Sequence, residues 1–258
     1  MTKLAVKIAY MGEGFHGSQR QPGLRTVESE ILRNLITVYG SDNIDFSLKL
    51  SSRTDRGVNA LGNVAMFETG TKDPDALLRS LNSVSRGIFY RSYAKVPENF
   101  KPRYAYLRHY RYIMPAKGID ADRAEKCASL FLGEHDFSRF CKYDGKPTLN
   151  NVVSSEIKIE DDFLIYDCSA RFFLWQQVRR MASAIAMVGM NRADFDEVLR
   201  ALNGENIHMG TLRGDTLTLM DVVYNDVDFR KPVKTMYERK LNEEIYRNKI
   251  RDTFFASL

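Results

Sequence analysis

The residues of this chain best suited to chemistry gather in one run, Ser51-Ser52-Arg53-Thr54-Asp55-Arg56-Gly57-Val58-Asn59-Ala60. Asp55 is flanked by Arg53 and Arg56, so a cationic field keeps its carboxylate ionised. Gly57 admits a backbone geometry that a side chain would block. An ionised aspartate on a loop can act as a nucleophile, a metal ligand or a structural hydrogen-bond acceptor. The plainest alternative is that Asp55 caps the loop and pairs with Arg53. Upstream, Ile44, Phe46, Leu48 and Leu50 alternate as in a half-buried strand, and Asn63 to Phe67 reads as a second strand. A plain hairpin would turn through Asn-Gly or Asp-Gly. A polar loop of this length has a purpose beyond turning.

Two further runs carry reactive or charged groups. Arg103 to Met114 reads as a strand that places Tyr104, Tyr106, Arg108, Tyr110 and Tyr112 on one face. Aromatics interleaved with arginines suit stacked bases and phosphates. A sheet face whose tyrosines pack under helices is the other explanation. In Phe173 to Met181, Arg179 stands on the first turns of an expected helix. An arginine there can pair with Asp55 and hold it ionised in one rotamer, or it can simply be solvated. Arg20, Arg25, Lys142 and Lys146 lie on loops suited to phosphate contacts, and Arg56, Arg108 and Arg111 extend that set. His16, His109, His135 and His208 lack metal-ligand spacing, so no metal site is expected. Cys127, Cys141 and Cys168 form no Cys-x-x-Cys, which argues against a disulfide framework or a zinc ribbon.

The elements that must position these residues follow from periodicity. The 258 residues are 44% hydrophobic and 28% charged, enough for one large or two small domains with real cores. A net charge of +5 favours a polyanionic partner. No apolar run approaches a membrane span. A strand starts directly after Met1-Thr2-Lys3, leaving no signal peptide, so a soluble, cytoplasmic chain is expected. The first half reads as strand (Lys3 to Tyr10), helix from an N-cap at Thr26, two strands around Asp55, helix from Asp73-Pro74, and strand (Ile88 to Val96). Pro97 and Pro102 bracket a link. The second half reads as strand, helix from Asp120 or Asp122 closed by Gly133, a loop from Glu134 to Asn151, and two strands turned by Asp161-Asp162. A helix from Phe173 to Met190, a second from Asp194 to Asn203-Gly204, and a last strand (Thr216 to Tyr224) complete it.

Both halves thus follow the ferredoxin-like order of strand, helix, strand, strand, helix, strand, the second with one extra helix. The expected fold is α+β: two ferredoxin-like halves, 1–102 and 103–258, forming a mixed sheet with a central positively charged cleft into which the Asp55 loop opens. Lys234 to Phe254 is expected as a terminal helix packed on the body or on a partner subunit, its charges explained most simply as a solvated face.

The longer strings resemble one family. Ser-Arg-Thr-Asp-Arg-Gly-Val-Asn-Ala closely resembles the signature of the TruA family of tRNA pseudouridine synthases, Gly-Arg-Thr-Asp-x-Gly-Val-His-Ala, departing at Ser52 and Asn59. Arg108 to Tyr112 is similar to the family's Arg-Arg-Tyr-Arg-Tyr. Phe173 to Arg179 is similar to its Phe-x-x-x-x-Val-Arg, with Gln176 where His is common. Tyr10 to Gln21 resembles the first family motif, with Ser18 where Trp is common; Leu132 to Phe137 and Leu217 to Leu219 match others. The resemblance runs in order from Lys3 to Tyr224.

It implies that Asp55 is the catalytic residue, that Arg53 helps displace the target nucleotide from the stack and that Tyr110 lies against the target base. Arg179 would bridge to Asp55, and Leu219 would supply an apolar contact to the base. The implied reaction isomerises uridine to pseudouridine on the 3′ side of the tRNA anticodon arm. Nothing is oxidised or consumed, so no cofactor is required. The implied assembly is a homodimer that holds one tRNA across two subunits. A non-catalytic RNA binder on the same scaffold would need no carboxylate facing a polyanion. An unrelated hydrolase would need a second carboxylate or a metal cluster, and no motif supplies either.

Overall fold

A single nine-stranded mixed sheet organises the computed structural model, which describes residues 2–233 and 237–256. The strands are β1 (Thr2–Tyr10), β2 (Lys49–Leu50), β3 (Asn59–Thr69), β4 (Ile88–Val96), β5 (Leu107–Pro115), β6 (Gly133–Asp136), β7 (Leu149–Glu160), β8 (Phe163–Ala170) and β9 (Leu217–Val223). The order across the sheet is β4-β1-β3-β9-β5-β8-β7-β6. Neighbours pair antiparallel except at the centre, where β3 and β9 run parallel through Asn59–Thr218 and Ala60–Leu219. That short parallel seam joins strands from the beginning and the end of the chain. β2 also pairs with β3, at Ala65 and Met66, so β2 and β9 occupy opposite ends of the same strand. The loop between β2 and β3 leaves at one and re-enters at the other, which sets Asp55 over the seam.

The helices start where the caps dictate. α1 (Val27–Tyr39) begins with a capping box between Thr26 and Ser29 and stops at Gly40, which adopts the left-handed conformation (φ 68°). α2 (Pro74–Val84) begins with Asp73 accepting from the Ala76 amide at 3.0 Å and with proline at its first position. α3 (Ala121–Ser129) takes Asp120 as its cap, not Asp122. α4 (Gln177–Gly189) and α5 (Phe195–Leu202) follow, the latter capped by Asp194 with Glu197. α1 packs with α2, and α3 with α4. One continuous apolar core takes in both sets, from Leu4, Ile31 and Phe67 to Phe131, Ile185 and Leu219. Among the described residues no helix is long and apolar enough to cross a membrane.

Several sequence expectations shift. The strand expected from Ile44 shrinks to Lys49–Leu50, because Ser47 turns through positive φ (47°) and breaks the extended run. β3 instead starts at Asn59, so the Asp55 loop is shorter than alternation suggested. β5 starts at Leu107, not Arg103, and leaves Tyr104 and Tyr106 outside the strand at 69% and 59% exposure. Of the five, only Arg108, Tyr110 and Tyr112 share its buried face. α3 ends at Ser129, and Gly133 opens β6 within what reads as loop. There Phe137 packs tilted and Phe140 edge-on against Phe131. α4 starts at Gln177, four residues later than Phe173. The terminal helix, α6 (Glu238–Ala256), is exposed on nearly all sides, with Lys240 donating to the Asn82, Ser83 and Ser85 carbonyls at the C-terminal end of α2. Lys234, where that helix was expected to begin, lies outside the described residues.

Leu219 is wholly buried on β9, between Ala60 and Tyr110. Leu219→Ala should therefore lower unfolding stability by about 2–5 kcal/mol in urea titration. A change near zero would mean that the side chain faces the cleft rather than the core.

Candidate active site

The Asp55 loop is immobilised by side chains of the preceding loop and of β3. The Thr54 amide donates to Ser18 Oγ at 2.8 Å, and the Ser18 amide donates to the Thr54 carbonyl at 3.0 Å. Thr54 Oγ1 and the Tyr10 hydroxyl are hydrogen-bonded at 2.8 Å, both buried. Asn63 donates to the Tyr10 oxygen and the Ser52 carbonyl, each at 3.1 Å. The Gly12 amide donates to Asn59 Oδ1, and Asn59 Nδ2 donates to the Asp215 carbonyl, both at 2.8 Å. Gly12 has to be glycine, since a Cβ there would lie 2.3 Å from the Gly57 carbonyl. Gly57 itself sits at φ 84° and completes the turn in which the Val58 amide donates to the Asp55 carbonyl.

Asp55 projects from this frame across the seam. Arg179 Nη1 donates to Oδ2 at 3.2 Å, and the Trp175 indole N–H donates to Oδ1 at 3.1 Å. The Arg179 Nε–H is committed to the Leu212 carbonyl at 2.7 Å, which fixes the guanidinium. Both donors come from the entry to α4. Gln176 there adopts the left-handed conformation (φ 64°), a strain of about 1–2 kcal/mol for a residue with a Cβ. Gln177 Oε1 accepts from the Leu174 amide and from Asn150, which stabilises the turn.

Tyr110 lies beneath, 7% exposed, with its ring edge-on to Phe173 at 5.3 Å. Burial pushes its phenol well above the ordinary value, and the nearby Asp55 charge acts in the same direction against the lowering effect of Arg108. The neutral hydroxyl makes no hydrogen bond among the described residues and is available to a ligand.

The other candidate residues divide sharply. Arg53 and Arg56 are exposed and form no ion pair with Asp55 among the described residues, so the expected flanking pair is replaced by Arg179. Arg20 is also exposed. Lys142 borders the site with its ammonium 4.1 Å from the Trp175 ring centre, and Lys146 pairs with Asp144 at 2.5 Å on the surface. Arg25 is structural: it binds Glu30, the Gly14 and Arg86 carbonyls and the face of Phe15. Arg111 points to the opposite side of β5 from Tyr110 and grips Asp167 through both oxygens, at 3.0 and 2.8 Å. Arg108 is buried, and its four hydrogen bonds run to Ser52 Oγ and to the carbonyls of Ser51, Arg103 and Arg171. Each of these three spends its donors inside the protein. Leu219 has no exposed surface to offer a base and backs Tyr110 within the core. Periodicity gave no sign of the role of Trp175; its closeness to Arg179 in sequence was the one available signal.

Comparisons with known proteins point to one family. Residues 127–225 match the family model described as tRNA pseudouridine synthase. The tRNA pseudouridine synthase A of Pyrococcus abyssi is 37% identical over 255 residues, covering 96% of this chain and 95% of the relative. That of Pyrococcus horikoshii is 36% identical with the same coverage, and that of Thermoplasma acidophilum is 33% identical over 99% of this chain and 96% of its own. The chain belongs to the tRNA pseudouridine synthase A family.

The burial of Arg108 makes a prediction that separates structure from RNA contact. Arg108→Met should destabilise the fold by about 3 kcal/mol, because buried carbonyls lose charged donors, as read by urea unfolding. Weaker tRNA binding at unchanged stability would return Arg108 to the RNA surface.

Proposed function

We propose that this protein isomerises uridine to pseudouridine in tRNA, with Asp55 as the catalyst. The observation that carries the reading is the Asp55 carboxylate, held at both oxygens by Arg179 and Trp175 beside the free hydroxyl of Tyr110. The family to which the chain belongs supplies the reaction and the substrate.

The isomerisation breaks the N1–C1′ bond, turns the uracil and joins C5 to C1′, and the C5 proton leaves as N1 regains one. The reaction is redox-neutral. The target nucleotide must first leave the stack, at a cost of a few kcal/mol. Arg53, exposed at the rim of the loop, fills the vacated place and holds the flipped state. Asp55 acts at the ribose, as nucleophile at C1′ or as base at C2′, and either role needs a carboxylate in a fixed orientation. Tyr110 stacks on the uracil. Because its phenol stays neutral, it offers a hydroxyl that can relay the C5 proton rather than a phenolate that captures it. Arg20, Arg56, Lys142 and Lys146 serve as phosphate contacts around the opening.

In this reading the target lies on the 3′ side of the anticodon arm. The sheet consists of two ferredoxin-like halves, 1–102 and 103–258, with a positively charged cleft along their seam. The strand orders β4-β1-β3-β2 and β9-β5-β8-β7 support that division. The working form is a homodimer, for which light scattering should give twice the chain mass.

Asp55→Asn should lower tritium release from tRNA labelled at uridine C5 by about a thousandfold or more while tRNA still binds; full activity would remove Asp55 from the mechanism. tRNA affinity should fall steeply as salt rises, because phosphate contacts release counterions. A flat salt response would discard the basic rim as the RNA surface.

A further inference from the structure

Building on the reading of Asp55 as catalyst, we propose that Trp175 is a positioning residue for this reaction: its indole N–H fixes the plane of the Asp55 carboxylate. The terminal torsion of an aspartate is broad, so a carboxylate gripped through one oxygen still swings about its last bond. Arg179 reaches only Oδ2 and already gives its Nε–H to Leu212. The Trp175 donor on Oδ1, at 3.1 Å, closes that freedom. Being neutral, it adds direction without adding charge beside the catalyst.

The surroundings of Trp175 hold the ring for this purpose. The Lys142 amide donates to the Trp175 carbonyl at 2.7 Å, and the Lys142 ammonium lies 4.1 Å from the ring centre. A cation over the face polarises the indole and strengthens its N–H as a donor. The left-handed turn at Gln176 follows immediately and directs the chain into α4. Trp175 is 42% exposed, so it adds little to the core, and a tryptophan serving only packing would be more deeply buried.

Trp175 is the single tryptophan of the chain. Growth with benzothienylalanine, which keeps the ring shape but carries sulfur in place of the N–H, therefore alters this position alone. The substituted full-length protein, Trp175→Phe and Asp55→Asn are compared with wild type for kcat in tritium release and for tRNA Kd. The expected result is that both tryptophan replacements lower kcat about tenfold to a hundredfold with tRNA Kd unchanged. Wild-type kcat in the benzothienylalanine protein, beside an inactive Asp55→Asn, overturns this inference and leaves the Asp55 reading standing. A loss confined to Kd overturns it as well and assigns Trp175 to RNA binding. An active Asp55→Asn overturns the reading beneath it, and this inference with it.

Discussion

The structure depends on holding one carboxylate across a seam. Asp55 belongs to the loop between β2 and β3, while its two donors stand 120 and 124 residues further along the chain. The parallel join of β3 to β9 brings the two sides together. β9 lies between β3 and β5, so the same join sets Tyr110 next to Leu219 and beneath the Asp55 loop. Loss of that register would separate the carboxylate, its donors and the phenol at once, because no short stretch of chain connects them.

The basic residues are partitioned by their partners, and Arg108 by burial as well. A guanidinium taken from water must find acceptors for its donors. Arg108 finds carbonyls and Ser52 Oγ, Arg111 finds Asp167, and Arg25 finds Glu30 with two carbonyls. These three brace the frame of the site. Arg20, Arg53 and Arg56 remain in water, where a phosphate can reach them. The positive charge available to a polyanion is thus smaller than a count of arginines suggests.

The departures from the family signature serve the frame as well. Ser18 is buried and exchanges two hydrogen bonds with Thr54, Ser52 accepts from Arg108, and Asn59 ties the start of β3 to Gly12 and Asp215. Small hydrogen-bonding side chains at these positions let the first loop and the Asp55 loop pack backbone to backbone. Gln176 takes the strained turn that admits Trp175 to the site.

Local signals were legible from the chain alone. The caps at Thr26, Asp73 and Asp194, the alternation of β1, the strand runs of β4 and β8, and the charged loop around Asp55 follow from short-range sterics and hydrogen bonding. The order of elements, β6 apart, followed from the same signals. The limits of β2 and α4 did not, because each run is broken by positive φ, at Ser47 and at Gln176, where neither residue type announces it. Arg179 as the partner of Asp55 came from resemblance, since nothing within either segment specifies the other. Only the tertiary structure decided which arginines are spent inside, that Trp175 is the second donor to Asp55, and that Leu219 is core. Each of these depends on what the sheet brings together over distances of a hundred residues, and a sequence pattern with a period of a few residues carries no record of that.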